Sequence, residues 1–293
     1  MSRFLAAAAV LGAALAASCA PKATDPVPAP PRTADAPPLP TRDRIVASER
    51  ARVGGLRVLH ARGVAELRWS DAQGDHFEQG DADLRWCAGR GIAVSVSKLG
   101  DRHLWVGSDG SRWWRFDLKS SPSRLRVGHP SVAPGAEGAA PGSGLRGLLN
   151  GVPGPRVLGL LAIEPAEGAV PVERDGVAWF AIPPEGAARA EAGFDPRTLA
   201  PVAVRLVTPS GASLEAGFTE TFGVETAGAA PGAWPRIPRR VRLQASGVDG
   251  PPLALRLALD VAVADAEAAG REVLYDLEAL RERFMPESVE EER

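Results

Sequence analysis

Apolar side chains recur at every second position in segment after segment of this chain, and a segment patterned in that way buries its apolar side only as a strand. Ala65, Leu67 and Trp69 alternate with Glu66 and Arg68, Ala82, Leu84 and Trp86 with Asp81, Asp83 and Arg85, and Ile92, Val94 and Val96 precede or flank Ser95, Ser97 and Lys98. Leu104 and Val106 run into Ser108-Asp109-Gly110, a hairpin signal, and Trp114 and Phe116 return in alternation with Arg115 and Asp117. Further on, Ala178, Phe180 and Ile182 follow Asp175-Gly176, Val202, Val204 and Leu206 lead to Pro209-Ser210-Gly211, and Leu214, Ala216 and Phe218 come back. The last pair is the most regular. Val241, Leu243 and Ala245 sit between Arg240, Arg242 and Gln244, then Leu253, Leu255, Leu257, Leu259 and Val261 alternate with Ala254, Arg256 and Asp260. Successive antiparallel strands with one apolar and one wet face are therefore expected.

About ten strands in meander order with little helix predict a mainly β chain built on a single large curled antiparallel sheet. Helices are expected only at residues 42–55, ending at Gly54-Gly55, and within 271–284, with one or two helical turns at 145–149. Residues 118–143 read as a Gly/Pro-rich loop with room for a short strand at 125–127, residues 164–192 carry only the alternation at Ala178, Phe180 and Ile182, and residues 286–293 read as a charged, frayed tail. Helices this few cannot cover the apolar face. Either the sheet rolls into a barrel, or part of its inner face stays open for a guest. The side chains that share the apolar phase, Leu67, Trp69, Leu84, Trp86, Val94, Trp114, Phe116, Phe180, Leu255 and Leu257, are the candidate lining for a hydrophobic ligand; filling a core is the alternative for each. Trp113 and Trp234 fall out of phase and are expected near the surface.

The N-terminus carries a different pattern. Arg3, an apolar stretch from Phe4 to about Ala17, and small residues before Cys19 make residues 1–18 a secretory signal. The stretch is short of the about 20 residues a membrane-crossing helix needs. Leu15-Ala16-Ala17-Ser18-Cys19 resembles the lipobox read by lipoprotein signal peptidase, with Leu15 one position farther from the cysteine than usual. That resemblance implies lipidation of Cys19. Ordinary cleavage after Ala20 would instead put Pro21 first in the mature chain, a position that signal peptidase tolerates poorly. Eight prolines between Ala20 and Thr41 make residues 19–41 an extended tether, able to reach about 70 Å at polyproline II rise.

Other chemistry is sparse. With 34 basic and 36 acidic residues the chain gives no reason to expect nucleic acid as a partner. His60, His76, His103 and His129 lack metal-ligand spacing, no Gly-x-Ser-x-Gly elbow or phosphate loop is present, and no cofactor or catalytic residue is indicated, which disfavours an enzyme. If Cys19 is acylated, Cys87 has no partner and reads as a small buried residue.

Gly107-Ser108-Asp109-Gly110, Trp113-Trp114-Arg115-Phe116, the step Phe194-Asp195-Pro196-Arg197-Thr198-Leu199-Ala200-Pro201 into a hairpin, and Ile237-Pro238-Arg239-Arg240-Val241 opening a strand together resemble the LolA/LolB-like outer-membrane lipoprotein and lipoprotein-carrier superfamily, over roughly residues 42–285. The resemblance implies a half-open β-barrel with short helices as a lid and a hydrophobic cavity for acyl chains. It implies a bacterial envelope lipoprotein that binds acyl chains or lipoproteins, anchored to a membrane by Cys19. Ala20, where an inner-membrane protein would carry Asp, implies the outer membrane, facing the periplasm. The alternative of a different class is a structural or protein-interaction envelope lipoprotein with no transported ligand.

Overall fold

The computed structural model describes residues 37–71, 74–129, 154–184, 189–207, 211–246 and 253–292. The expectations for the signal segment, Cys19, most of the tether and the turns at 145–149 lie outside the described residues. Helix α1, Arg42–Arg52, opens the body, with Thr41 as its N-cap. Six strands follow: β1 Val58–Asp71, β2 Gly74–Cys87, β3 Gly91–Lys98, β4 Asp101–Ser108, β5 Trp113–Asp117 and β6 Arg124–Gly128. The second run comprises β7 Val172–Arg174, β8 Val177–Ala181, β9 Arg189–Phe194, β10 Pro201–Val207, β11 Ser213–Gly223, β12 Arg236–Ser246 and β13 Leu253–Val263. Short helices α2, Ala266–Ala269, and α3, Leu277–Phe284, and a last strand β14, Ser288–Glu292, complete it.

All fourteen strands form one sheet in the order β14-β6-β5-β4-β3-β2-β1-β13-β12-β11-β10-β9-β8-β7. The sheet curls and is not closed into a barrel. The meander expected from the sequence is thus present twice, and the halves meet where β1 pairs β13. Every pairing is antiparallel except β14 with β6, which is parallel. The segment 286–293 is therefore not a frayed tail: Ser288–Glu292 extends the edge, and Arg126 Nε donates to Glu290 Oε2 at 2.9 Å across the new pair. Its charges hid it, because an edge strand can carry polar side chains on both faces. The 164–192 segment, where the alternation at Ala178 and Phe180 marks β8, also supplies β7 and the start of β9.

Local chemistry fixes the turns. Between β9 and β10, the Asp195 carboxylate accepts from the backbone N–H groups of Arg197 (2.7 Å) and Thr198 (3.0 Å), the Asx turn that the Asp-Pro-x-Thr step encodes. Between β4 and β5, Asp109 Oδ1 accepts from the N–H of Ser111 and Arg112. At the junction of the halves a register shift falls at Arg62/Gly63, and a Cβ on Gly63 would stand 1.9 Å from the Ala258 carbonyl oxygen. Only glycine lets the two strands close at that bulge.

Two cores occupy opposite faces. On the inner face, the register runs Phe180, Ala192, Val204, Ala216, Leu243, Leu255, Leu67 across eight strands to Glu78. Most of these side chains are buried, together with Ile45 of α1 and Val157, Leu158, Leu160 and Ile163 from the segment before β7. On the outer face, Trp105, Trp114, Phe116 and Leu125 form a second core beneath Leu274, Tyr275, Leu277 and Leu280 of the C-terminal helical segment. Phe284 lies edge-on to Phe116, with ring centroids 5.1 Å apart. The outer face of β4 and β5 is accordingly covered, unlike the wet face the alternation predicts.

Candidate inner-face binding site

Helix α1 is fastened to the inner segment by an ion pair taken out of water. Glu49 is fully buried, and Arg52 donates to both of its oxygens at 2.7 Å. Glu49 Oε2 also accepts from the N–H of Ile163 at 2.9 Å, while Arg52 donates to the carbonyls of Gly159, Leu161 and Arg236. Each partner is thus satisfied several times over, the condition under which a buried pair persists. Two further contacts extend the seam: Arg50 bridges Glu164 through paired bonds of 2.7 and 3.0 Å, and Arg42 donates to the Ala166 carbonyl. The helix and residues 157–163 therefore fill the inner face over the β8–β13 half.

Toward β3, β4 and β5 the inner face changes character. One lateral row reads Ala262, Ala61, Leu84, Val94, Val106, Arg115, Arg126, Glu290. Burial along it falls from complete at Leu84 to partial at Val94 and Val106. Val96 and Leu104, paired in the next row, and Leu67 and Leu255 are also partly exposed. Val94, Val96, Leu104 and Val106 make an apolar wall across β3 and β4 that ends at Arg115, while the Leu67–Leu255 pair lies two residue rows away on β1 and β13, beside the exposed Glu78 of β2.

The structure places the sequence-derived lining residues in three groups. Leu84, Trp86, Phe180 and Leu257 are buried in the inner core, in contact with other side chains. Leu67, Val94 and Leu255 lie on the partly exposed inner face. Trp114 and Phe116 lie on the opposite face, fully buried in the second core, so they do not share the side of Trp86. The backbone of Trp69 pairs with His76; the expectation for the Trp69 side chain lies outside the described residues. Leu104, Val106 and Arg115 were missed because the polar side chain at 115 marks β5 as wet on the side that faces inward. Trp113, expected near the surface, is 4% exposed and crosses over Gly128.

Titratable groups cluster on the outer face. His60 Nε2 lies 3.0 Å from Asp83, which also accepts from Arg85 at 2.7 Å. Burial raises the Asp83 pKa, and the hydrogen bonds from Arg85 and His60 outweigh that and hold it below the usual carboxylate range. On β9, buried Glu191 accepts two bonds from Arg174 and one from Arg189; the Arg174 hydrogen bonds lower its pKa against the opposing effect of burial. A carboxylate whose folded pKa is depressed contributes stability that is complete above its unfolded pKa, about 4.3 for Glu, and is lost as pH falls through the folded value. The melting temperature is therefore expected to be flat from pH 7 to 5 and to fall below about pH 4. Glu191→Gln should lower it at pH 7 and blunt the acid loss, as thermal melts across that range would read. Among the described residues no group of three or more His, Cys, Asp and Glu is placed to hold a metal ion, and no helix is long and apolar enough to cross a membrane.

The fold and this inner face define an open, curled antiparallel sheet with a helix-filled half and an apolar wall on the other. No protein-family model matches the chain, and no curated protein matches it. Among solved structures it is similar to a LolA superfamily protein from Nitrosomonas europaea, at 9% identity and TM-score 0.41 over 76% of this chain and 94% of that one. It is also similar to an outer membrane lipoprotein-sorting protein domain, described as putative in its name, from Vibrio parahaemolyticus (10% identity, TM-score 0.43, 76% and 92% covered). A third is a DUF1329 family protein from Desulfovibrio piger (10%, 0.44, 82% and 97%).

Proposed function

We propose that this chain is a lipid-anchored envelope protein that holds acyl chains, free or on a lipoprotein, against the partly exposed inner face of β3, β4, β1 and β13. The observation that carries the reading is the wall itself: Val94, Val96, Leu104 and Val106 are adjacent, partly exposed apolar side chains on the inner face of the curled sheet, and Leu67 and Leu255 are partly exposed on the same face. Contiguous apolar surface left partly in water marks a binding site more often than a scattered exposed leucine does. The lipobox-like Leu15-Ala16-Ala17-Ser18-Cys19 supports attachment to a membrane, where two or three chains on one cysteine give stable anchoring. The Pro-rich segment after it would let the sheet reach cargo away from the lipid surface.

A second reading, an envelope interaction protein with no transported ligand, is favoured by the other half of the sheet. There α1 and residues 157–163 leave a packed interior. Titration of the purified protein with a fluorescent fatty acid, alongside native mass spectrometry after detergent removal, separates the two. The acyl-binding reading expects saturable uptake at about one chain per protein and co-purified lipid; absence of both would leave the interaction reading.

A further inference from the structure

Arg115 is the one residue of the apolar row whose chemistry the wall does not explain. Its Cα stands directly opposite Val106 on β4 and Arg126 on β6, so its side chain belongs to the inner face beside the wall. Its cross-strand neighbour on β6 is answered: Arg126 is bonded to Glu290 at 2.9 Å. Among the described residues Arg115 has no hydrogen bond and no ion pair; Asp117, Glu78 and Arg126 act on it only through longer-range charge. Burial lowers its pKa, yet a guanidinium has no neutral form near neutral pH and must stay charged. The side chain keeps partial access to solvent. None of its guanidinium nitrogens is both buried and unpaired, so the group meets solvent and is available to an anion at the end of the wall.

We infer that Arg115 receives the anionic end, carboxylate or phosphate, of an acyl-bearing amphiphile whose chain lies along Val106, Val94 and the rest of the wall. This rests on the acyl-binding reading and gives it a ligand class. The guanidinium presents paired N–H donors that match either oxyanion, and the apolar flank strengthens the pairing by excluding water. Row geometry sets the order of contacts, head at β5 and tail toward β1, because Arg115, Val106, Val94 and Leu84 are successive cross-strand neighbours. Sequence alternation concealed the site by assigning Arg115 to solvent.

The test uses the full chain and three probes of one design: palmitate and a monoacyl phosphatidate, which are anionic, and monopalmitin, which is neutral. Wild type is expected to bind both anionic probes at least about tenfold more tightly than monopalmitin, and inorganic phosphate alone is not expected to compete at millimolar concentration. Arg115→Met should remove the preference while leaving monopalmitin affinity within about twofold, and should leave the melting temperature unchanged because no hydrogen bond or ion pair among the described residues is lost. Arg115→Lys should keep part of the preference. Equal binding of charged and neutral probes by wild type, or a preference unchanged in Arg115→Met, would overturn the inference while leaving acyl binding intact. A lower melting temperature for Arg115→Met would overturn it too, by showing a structural role. Binding of none of the three would instead overturn the acyl reading beneath it, and competition by inorganic phosphate alone would make this an anion site independent of the chain.

Discussion

Glu49→Ala is expected to destabilise the protein by about 3–5 kcal/mol, the range for removing one partner of a buried ion pair. The magnitude follows from what is stranded. Arg52 would keep its charge at the inner face with only the carbonyls of Gly159, Leu161 and Arg236 for partners, and the Ile163 N–H would lose its acceptor in a buried setting. Because that pair ties α1 to residues 159–163, the loss should be local before it is global. Hydrogen exchange should report α1 and residues 157–163 losing protection first, with β12 and β13 following at higher denaturant. The double variant Glu49→Met with Arg52→Met should recover much of the stability, since both charges then leave together. Denaturant melts of the three variants measure this, and equal stability of Glu49→Ala and wild type would mean that the pair does not hold the helix down.

Trp114→Ala should cost about 3–5 kcal/mol as well, from a fully buried indole removed without replacement. Its consequences should appear on the other side of the sheet. Trp114 packs in the second core with Leu277 and Leu280, so the C-terminal helical segment should loosen. Acyl binding should change by less than about threefold, because Val94, Val106 and Arg115 face the opposite way. Stability from denaturant melts and affinity from fatty-acid titration together read both halves of that statement. A large loss of binding at unchanged stability would place Trp114 in the binding face after all.

That contrast shows where the sequence was legible. Val241, Leu243, Ala245 and Leu253 to Val261 announce β12 and β13 because their outer face is solvated, so polarity labels each position. In β5, Trp113 and Trp114 are both buried, one on each face, and alternation then loses its meaning as a guide to side. Register across the Asp109 to Arg112 turn decides which face is inward, and no local pattern carries that information. The same ambiguity hid the inner wall at Leu104 and Val106 and sent Arg115 to the wrong side. Strand β14 escaped for a different reason: Ser288-Val289-Glu290-Glu291-Glu292 has no apolar period, and its place comes from pairing with β6 and from Glu290 meeting Arg126. Strand β7, three residues long, is shorter than any periodic window can register. The expected end of helix α1 falls within three residues of the observed one, yet its principal anchor, Glu49 with Arg52, reads in sequence as an ordinary charged face.

Central to the proposed function is an acyl chain held on the inner face between β1 and β5. Photo-crosslinking with a fatty acid bearing a diazirine along its chain, followed by peptide mapping, locates the chain directly. Labels are expected on β3 and β4, at Val94, Val96, Leu104 and Val106, with fewer on Leu67 and Leu255 and none on Phe77 or the α3 side chains of the outer face. Labelling confined to the outer face, or spread evenly over both, would contradict it.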